Sequence, residues 1–240
     1  MTTLIFGPTG GVGSALARRL CEAGESLFLT GRDEEALSTL AEETGARSTT
    51  CDVLDTGEIE AAIEAANADG DLSGLVFAVG SIDLAPLRKT DRDSFHKVFD
   101  LNAASAAEAL RLAEKPLKEN RGAAVLFSTV AVQQGFMSHA LISAAKGAVE
   151  GLTRAVAAEW APKARINAIA PSVLDTGIAQ KVLTNEKMRE GLAQMHPIQR
   201  IGEADDAAAM AQFLLSRDSD WITGHVFPVD GGRKSVRTRG

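Results

Sequence analysis

The chain has 240 residues, 45% of them hydrophobic, with 25 Lys plus Arg against 32 Asp plus Glu and a formal net charge of -7. That length suits one domain with a full core, and the acidic balance argues against a general nucleic-acid or anionic-membrane binder. No run reaches a membrane span, the start MTTLIFGPTGG has no basic-then-apolar signal segment, and Cys21 and Cys51 are too few for a disulfide framework or metal cluster, so a cytoplasmic setting is expected.

Short apolar runs alternate with amphipathic stretches along the whole chain. Residues 2–6 are predicted as a strand and 11–22 as a helix, with Val12, Ala15, Leu16 and Leu20 at helical spacing. A strand over 26–30, a helix over 33–43, a strand over 46–53 and a helix over 56–66 follow. Residues 72–79 are apolar enough for a strand buried on both faces. Next come a long helix over 91–118, a strand over 123–129, a long helix over 138–161 and a strand over 164–170. A loop with short helices, a helix over 203–216 and a last strand over 226–229 complete the pattern. Such alternation predicts an α/β, doubly wound, mostly parallel seven-stranded sheet with helices on both faces, in a single domain.

Between the first strand and the first helix stands Gly7-Pro-Thr9-Gly10-Gly11-Val12-Gly13. Unpaired N–H groups and the dipole make a helix N-terminus a phosphate site. Gly7 permits the tight turn, Gly11 lets backbone approach a pyrophosphate, and Gly13 allows close helix–strand packing. Gly7, Thr9, Gly11, Val12 and Gly13 are therefore the candidate cofactor contacts. At the second strand's tip the chain reads Thr30-Gly31-Arg32-Asp33. An arginine there accommodates a 2′-phosphate, which favours NADP(H) over NAD(H), and Asp33 next to it suits a helix start.

Further motifs follow in order: Asp52-Val53 after the third strand, Phe99-Asp-Leu-Asn102, Ser128-Thr129, Ser143-Ala-Ala-Lys146, Asn167 through Pro171, Leu174-Asp-Thr176, and Ile222-Thr-Gly224 through Asp230-Gly231-Gly232. On these the sequence resembles the short-chain dehydrogenase/reductase family over essentially its whole length. The resemblance implies a Rossmann-type domain over 1–240 and hydride transfer between a nicotinamide and a carbonyl or alcohol. It implies that Asp52 and Val53 contact the adenine, that Asn102 holds a water near the catalytic Lys146, and that Gly80, Pro171 and Thr176 border the cofactor. A substrate loop over about 171–200 and a homodimer or homotetramer through helices 91–118 and 138–161 are implied too.

In the family a tyrosine four residues before the lysine protonates the substrate oxygen. Here that position is Ile142, and the chain contains no tyrosine at all. The family's Asn-Asn-Ala-Gly is Phe77-Ala-Val-Gly80, where Phe77 is expected to narrow or reshape the cofactor groove, and its Pro-Gly is Pro171-Ser172. Thirteen residues before Ile142 stands Thr129, at the place of the serine or threonine that orients the substrate oxygen. His139 shares a predicted helix face with Ile142 and Lys146, which makes it a candidate acid–base group across ~10 Å of helix. The candidate catalytic set is Lys146, Thr129, Asn102 and His139. His96 and His225 read as structural or surface residues, His196 falls in the substrate loop, and neither cysteine has a basic neighbour that would favour a thiolate. Three functions compete: a small-molecule oxidoreductase with a proton source other than tyrosine, a silent nucleotide-binding homologue acting as a regulator or inactive subunit, and non-redox chemistry such as elimination with the cofactor absent or only structural.

Overall fold

A computed structural model describes residues 1–238. The first half runs β1 (Thr2–Phe6), α1 (Gly11–Glu22), β2 (Ser26–Gly31), α2 (Glu34–Thr44), β3 (Arg47–Thr50), α3 (Thr56–Ala66) and β4 (Leu72–Phe77). The second runs α4 (Arg92–Phe99), α5 (Ser105–Glu119), β5 (Ala123–Phe127), α6 (Ala140–Trp160), β6 (Arg165–Pro171), β7 (Leu174–Asp175), α7 (Glu186–Gln194), β8 (Gly202–Glu203), α8 (Ala204–Leu215) and β9 (Val226–Val229). Seven strands form one parallel sheet in the order β3-β2-β1-β4-β5-β6-β9, and β7 pairs with β8 apart from it.

The apolar strands divide their side chains between two cores. Leu4, Phe6, Leu75 and Ala168 join the face covered by α3, α5 and α6. Ile5, Leu29, Val76 and Ile169 join the face covered by α1, α2 and α8. With both faces covered, alternation of polar and apolar residues disappears from the central strands. The order reverses between β1 and β4, and a sheet of this type opens its ligand crevice beyond the carboxyl ends at such a reversal.

Side-chain caps start several helices. Asp33, Asp55 and Asp91 accept from the N–H of Ala36 (3.1 Å), Glu58 (3.1 Å) and Ser94 (2.8 Å), so α2, α3 and α4 begin just after these acids. Asp33 thus takes the helix-start role its position suggested.

Three expectations are corrected. The strand predicted over 46–53 is only Arg47–Thr50, because its sequence is polar and pairs on one side alone. The helix predicted over 91–118 contains a π-helical turn at Asp100–Ala104, where the Ser105 N–H donates to the Asp100 carbonyl. The helix predicted from 138 starts at Ala140: Ser138 is left-handed, with φ 65°, and His139 is the N-cap. No helix among the described residues is long and apolar enough to cross a membrane.

Candidate active site

The glycine loop lies where β1 ends. Gly7 adopts φ 78° and donates its N–H to the Thr30 carbonyl at 2.9 Å, turning the chain sharply into α1. A β-carbon on Gly13 would lie 2.3 Å from the Gly7 oxygen, and one on Gly11 would lie 2.5 Å from Thr176. Gly10 caps α1 without a side-chain hydrogen bond, so the first-turn N–H groups remain available to an anion. They open on a cavity of about 810 Å³ that runs past the ends of β1, β4, β5 and β6.

At one end of this cavity Gly31, Arg32, Cys51 and Val53 form the wall. Arg32 has no carboxylate partner within ion-pair distance among the described residues. Asp52, between two lining residues, directs its carboxylate to the Leu54 N–H at 3.1 Å. Burial pushes the Cys51 thiol up to about 11, which keeps it protonated and unreactive near neutrality.

Lys146, Ile142, Thr129, His139, Gly80 and Pro171 line the other end. Lys146 is only 8% exposed, and burial lowers its pKa to about 8. Asn102 stands behind Gly80, held by the π turn. Its amide donates to the Val98 carbonyl at 2.9 Å and to the Ser81 hydroxyl at 3.2 Å, while its Oδ1 accepts the Ser81 N–H at 3.2 Å. Ile142, one helical turn before Lys146, packs with Val98, Leu141 and Ala145. Ser128 and Thr129 both line the cavity, but the Ser128 hydroxyl is committed to the buried Glu150, to which it donates at 2.9 Å, whereas Thr129 spends its hydroxyl only as an acceptor, from the Ala131 N–H at 3.3 Å. His139 lines the cavity from the mouth of α6. Its Nδ1 lies 2.7 Å from the Met137 carbonyl, so that nitrogen carries the hydrogen, and its ring lies edge-on to Phe136.

Phe77 does not narrow the groove. It is 2% exposed, in the core beside Phe6 at a ring separation of 5.6 Å, and the next residues, Ala78 and Val79, line the cavity instead. His96 and His225 are exposed, as expected.

One constellation was not foreseen. His196, 3% exposed, has Nδ1 2.7 Å from the Leu192 carbonyl and Nε2 2.8 Å from the Ser172 hydroxyl. A carbonyl only accepts, so Nδ1 carries the hydrogen and Ser172 donates to the bare Nε2. Burial lowers the His196 pKa, which favours this neutral form. Arg233 reaches the same place from the carboxyl-terminal side of β9, with Nη1 3.4 Å from the Ser172 oxygen and its guanidinium 4.7 Å from the Phe136 ring centre. The departure from Pro-Gly at Pro171-Ser172 was the one hint in the sequence.

Comparison with known proteins agrees with this arrangement. Residues 7–234 match the family model described as enoyl-(acyl carrier protein) reductase. A 2-dehydro-3-deoxy-D-gluconate 5-dehydrogenase of Bacillus subtilis is 32% identical over 240 residues, covering 96% of this chain and 93% of that one. Levodione reductase superposes with a TM-score of 0.93 at 30% identity, over 98% of both chains. Actinorhodin polyketide ketoreductase with NADPH superposes with a TM-score of 0.93 at 26% identity, over 98% of this chain and 97% of that one. With a glycine loop, a parallel sheet reversing at β1 and β4, and a buried lysine beyond the strand ends, the chain belongs to the short-chain dehydrogenase/reductase family of oxidoreductases.

Proposed function

We propose that the protein is an NADP(H)-dependent oxidoreductase that interconverts a carbonyl, or an imine, with its reduced partner, using Lys146 rather than a tyrosine as proton donor. The observation that carries this reading is the buried Lys146, facing the cavity beside Thr129 with its pKa lowered to about 8. The residues fit a nicotinamide dinucleotide: the cradle at Gly11 and Gly13 has no room for a β-carbon, and the α1 N-terminus is open to a pyrophosphate. Gly7, Thr9, Val12 and Gly80 would border the nucleotide, Val53 the adenine, and Pro171 and Thr176 the nicotinamide. Arg32 would take a 2′-phosphate, because among the described residues no carboxylate pairs with its guanidinium.

When bound, the reduced cofactor supplies hydride to the substrate carbon. The protein's own part is to hold the substrate oxygen and protonate it as negative charge develops. Thr129 donates a hydrogen bond to that oxygen, and the Lys146 ammonium transfers a proton to it and becomes a neutral amine. Asn102 fixes the Gly80–Ser81 turn beside Nζ. His139, at the lip with an Nε2 that accepts, is suited to relay a proton to Lys146 from solvent. The site is thus atypical for its family, with the apolar Ile142 in the tyrosine's place. A silent regulator gives no account of a desolvated lysine kept in an open cavity, since an apolar residue there would be more stable.

Residues 171–200 form the substrate loop in this reading, because Ile178, Val182, Leu192 and Met195 line the cavity from that segment. A cytoplasmic homodimer or homotetramer through 91–118 and 138–161 is part of the proposal. The test is rapid mixing of NADPH-loaded protein with activated ketones and preformed iminium ions. Loss of nicotinamide absorbance with formation of alcohol or amine is expected, and its absence across both classes would overturn the reading.

A further inference from the structure

The cavity carries more positive charge than the nucleotide accounts for. Among the described residues, Arg32, Lys146 and Arg233 line it against one acid, Asp33, in a chain whose net charge is -7. Arg32 and Lys146 already have tasks in the proposed oxidoreductase. Arg233 does not.

Its surroundings distinguish it from the protein's structural arginines. Arg18, Arg19, Arg111, Arg189 and Arg200 each meet a carboxylate at 2.6–3.0 Å. Arg233 has none within ion-pair distance among the described residues. The nearby Asp230 spends its two oxygens on the N–H groups of Gly232 and Lys234, both at 2.8 Å. The contacts Arg233 does make are long, to the Ser172 oxygen at 3.4 Å and the Met195 sulfur at 3.7 Å. This half-buried cation has lost hydration and, among the described residues, feels Asp230 only at a distance; burial outweighs that attraction and lowers its pKa.

The guanidinium is nevertheless held in place. One face lies over Phe136 at 4.7 Å, which fixes its plane. One edge meets Ser172, whose own hydrogen is committed to His196, so the serine oxygen faces Arg233 only as an acceptor. His196 is fixed in turn by Leu192 at the end of α7. This chain orients a planar fork of donors at the substrate end of the cavity.

We infer that Arg233 is the docking point for a carboxylate on the substrate, so that the natural substrate is an oxo acid or hydroxy acid rather than a neutral ketone. The inference rests on the oxidoreductase reading, since that reading assigns Arg32 to the nucleotide and Lys146 to proton transfer. A planar carboxylate matches the fork in two parallel hydrogen bonds and supplies the missing counter-charge. Arg233 is then a specificity residue, and Ser172, His196 and Phe136 position it.

The test uses a series of straight-chain ω-carboxy ketones that differ by one methylene, together with their methyl esters. Calorimetry measures their binding to the NADP+-saturated protein, and initial rates are measured with NADPH. At least one acid is expected to bind tenfold or more tightly than its ester, with the preference weakening as salt is raised. Arg233→Gln should abolish that preference and leave the NADPH dissociation constant unchanged, while Arg233→Lys should retain part of it. Equal binding of acids and esters to the unsubstituted protein would overturn the inference without any variant having to fold. So would an acid preference that survives Arg233→Gln. Failure of the unsubstituted protein to bind NADPH would instead remove the oxidoreductase reading, and this inference with it.

Discussion

A side chain on Gly80 would occupy the space that Lys146 uses: a β-carbon there would lie 3.1 Å from the lysine Nζ and 2.8 Å from the Asn102 Oδ1. The lysine tip is flexible, but the asparagine oxygen is tied to the Ser81 N–H and its amide to Val98. Gly80→Ala should therefore strain the turn and displace Nζ, at a cost of about 1–3 kcal/mol in denaturant unfolding. Turnover should fall further than NADPH affinity. A variant as stable and as active as the parent would show that this close approach does not matter.

Lys146 sets two pH dependences. The ammonium is the proton donor, so carbonyl reduction should be flat below pH 8 and fall above it as Nζ loses its proton. The reverse oxidation should rise over the same range. In the folded state the pKa is lowered from 10.5 to about 8, so between those values the unfolded chain holds a proton that the folded one has lost. Stability from this group should therefore rise with pH across that window, and be lost as pH falls through about 8.

The same shift corresponds to about 3 kcal/mol of charge burial at neutral pH. Lys146→Met should recover part of it, raising unfolding stability by about 1–3 kcal/mol while lowering turnover at least a hundredfold. Chemical denaturation at pH 7 and at pH 10 would check both claims, since the gain should shrink at the higher pH. A destabilised Lys146→Met variant would contradict the burial argument.

Arg32→Ala should weaken NADPH at least tenfold, about 1.4 kcal/mol, and leave NADH nearly unchanged. Fluorescence titration with both nucleotides reads this directly. Equal losses for the two would mean that the guanidinium does not select the 2′-phosphate.

Ile142→Tyr would put a phenol one helical turn from Lys146. The ring must displace packing against Val98, Leu141 and Ala145, which should cost about 1–3 kcal/mol. Reduction of neutral ketones by NADPH should nevertheless rise tenfold or more. If a folded Ile142→Tyr protein gains nothing, position 142 is not where a proton donor is missing.

The strand–helix alternation and the glycine loop were legible in the sequence because each depends on neighbours within a few residues. The aspartate caps of α2 and α3 lie on the same local scale. Phe77 was misread for a physical reason: β4 has no polar residue from Gly74 to Phe77 and is covered on both sides, so no alternation reveals which face the ring takes. Its partner across the sheet, Phe6, decides that. The start of α6 was misjudged because nothing in Met137-Ser138-His139 announces a left-handed residue at Ser138. Ser172, His196 and Arg233 come from three separate segments that only tertiary packing brings together.

The π turn at Asp100–Ala104 carries a lesson about length. Its Ser105-to-Asp100 bond spans one residue more than an α-helical bond. Deleting any one residue from this turn would let α4 and α5 fuse into an unbroken helix with ordinary bonding. Each residue contributes a rotation of about 100°, so the two halves could not both keep their present orientation. Either the Asn102 amide would swing away from Gly80, or Ala109, Ala113 and Leu117 would leave the core. The locally simpler helix is therefore closed to this fold, and the chain should tolerate many substitutions along this rod but no shortening of it.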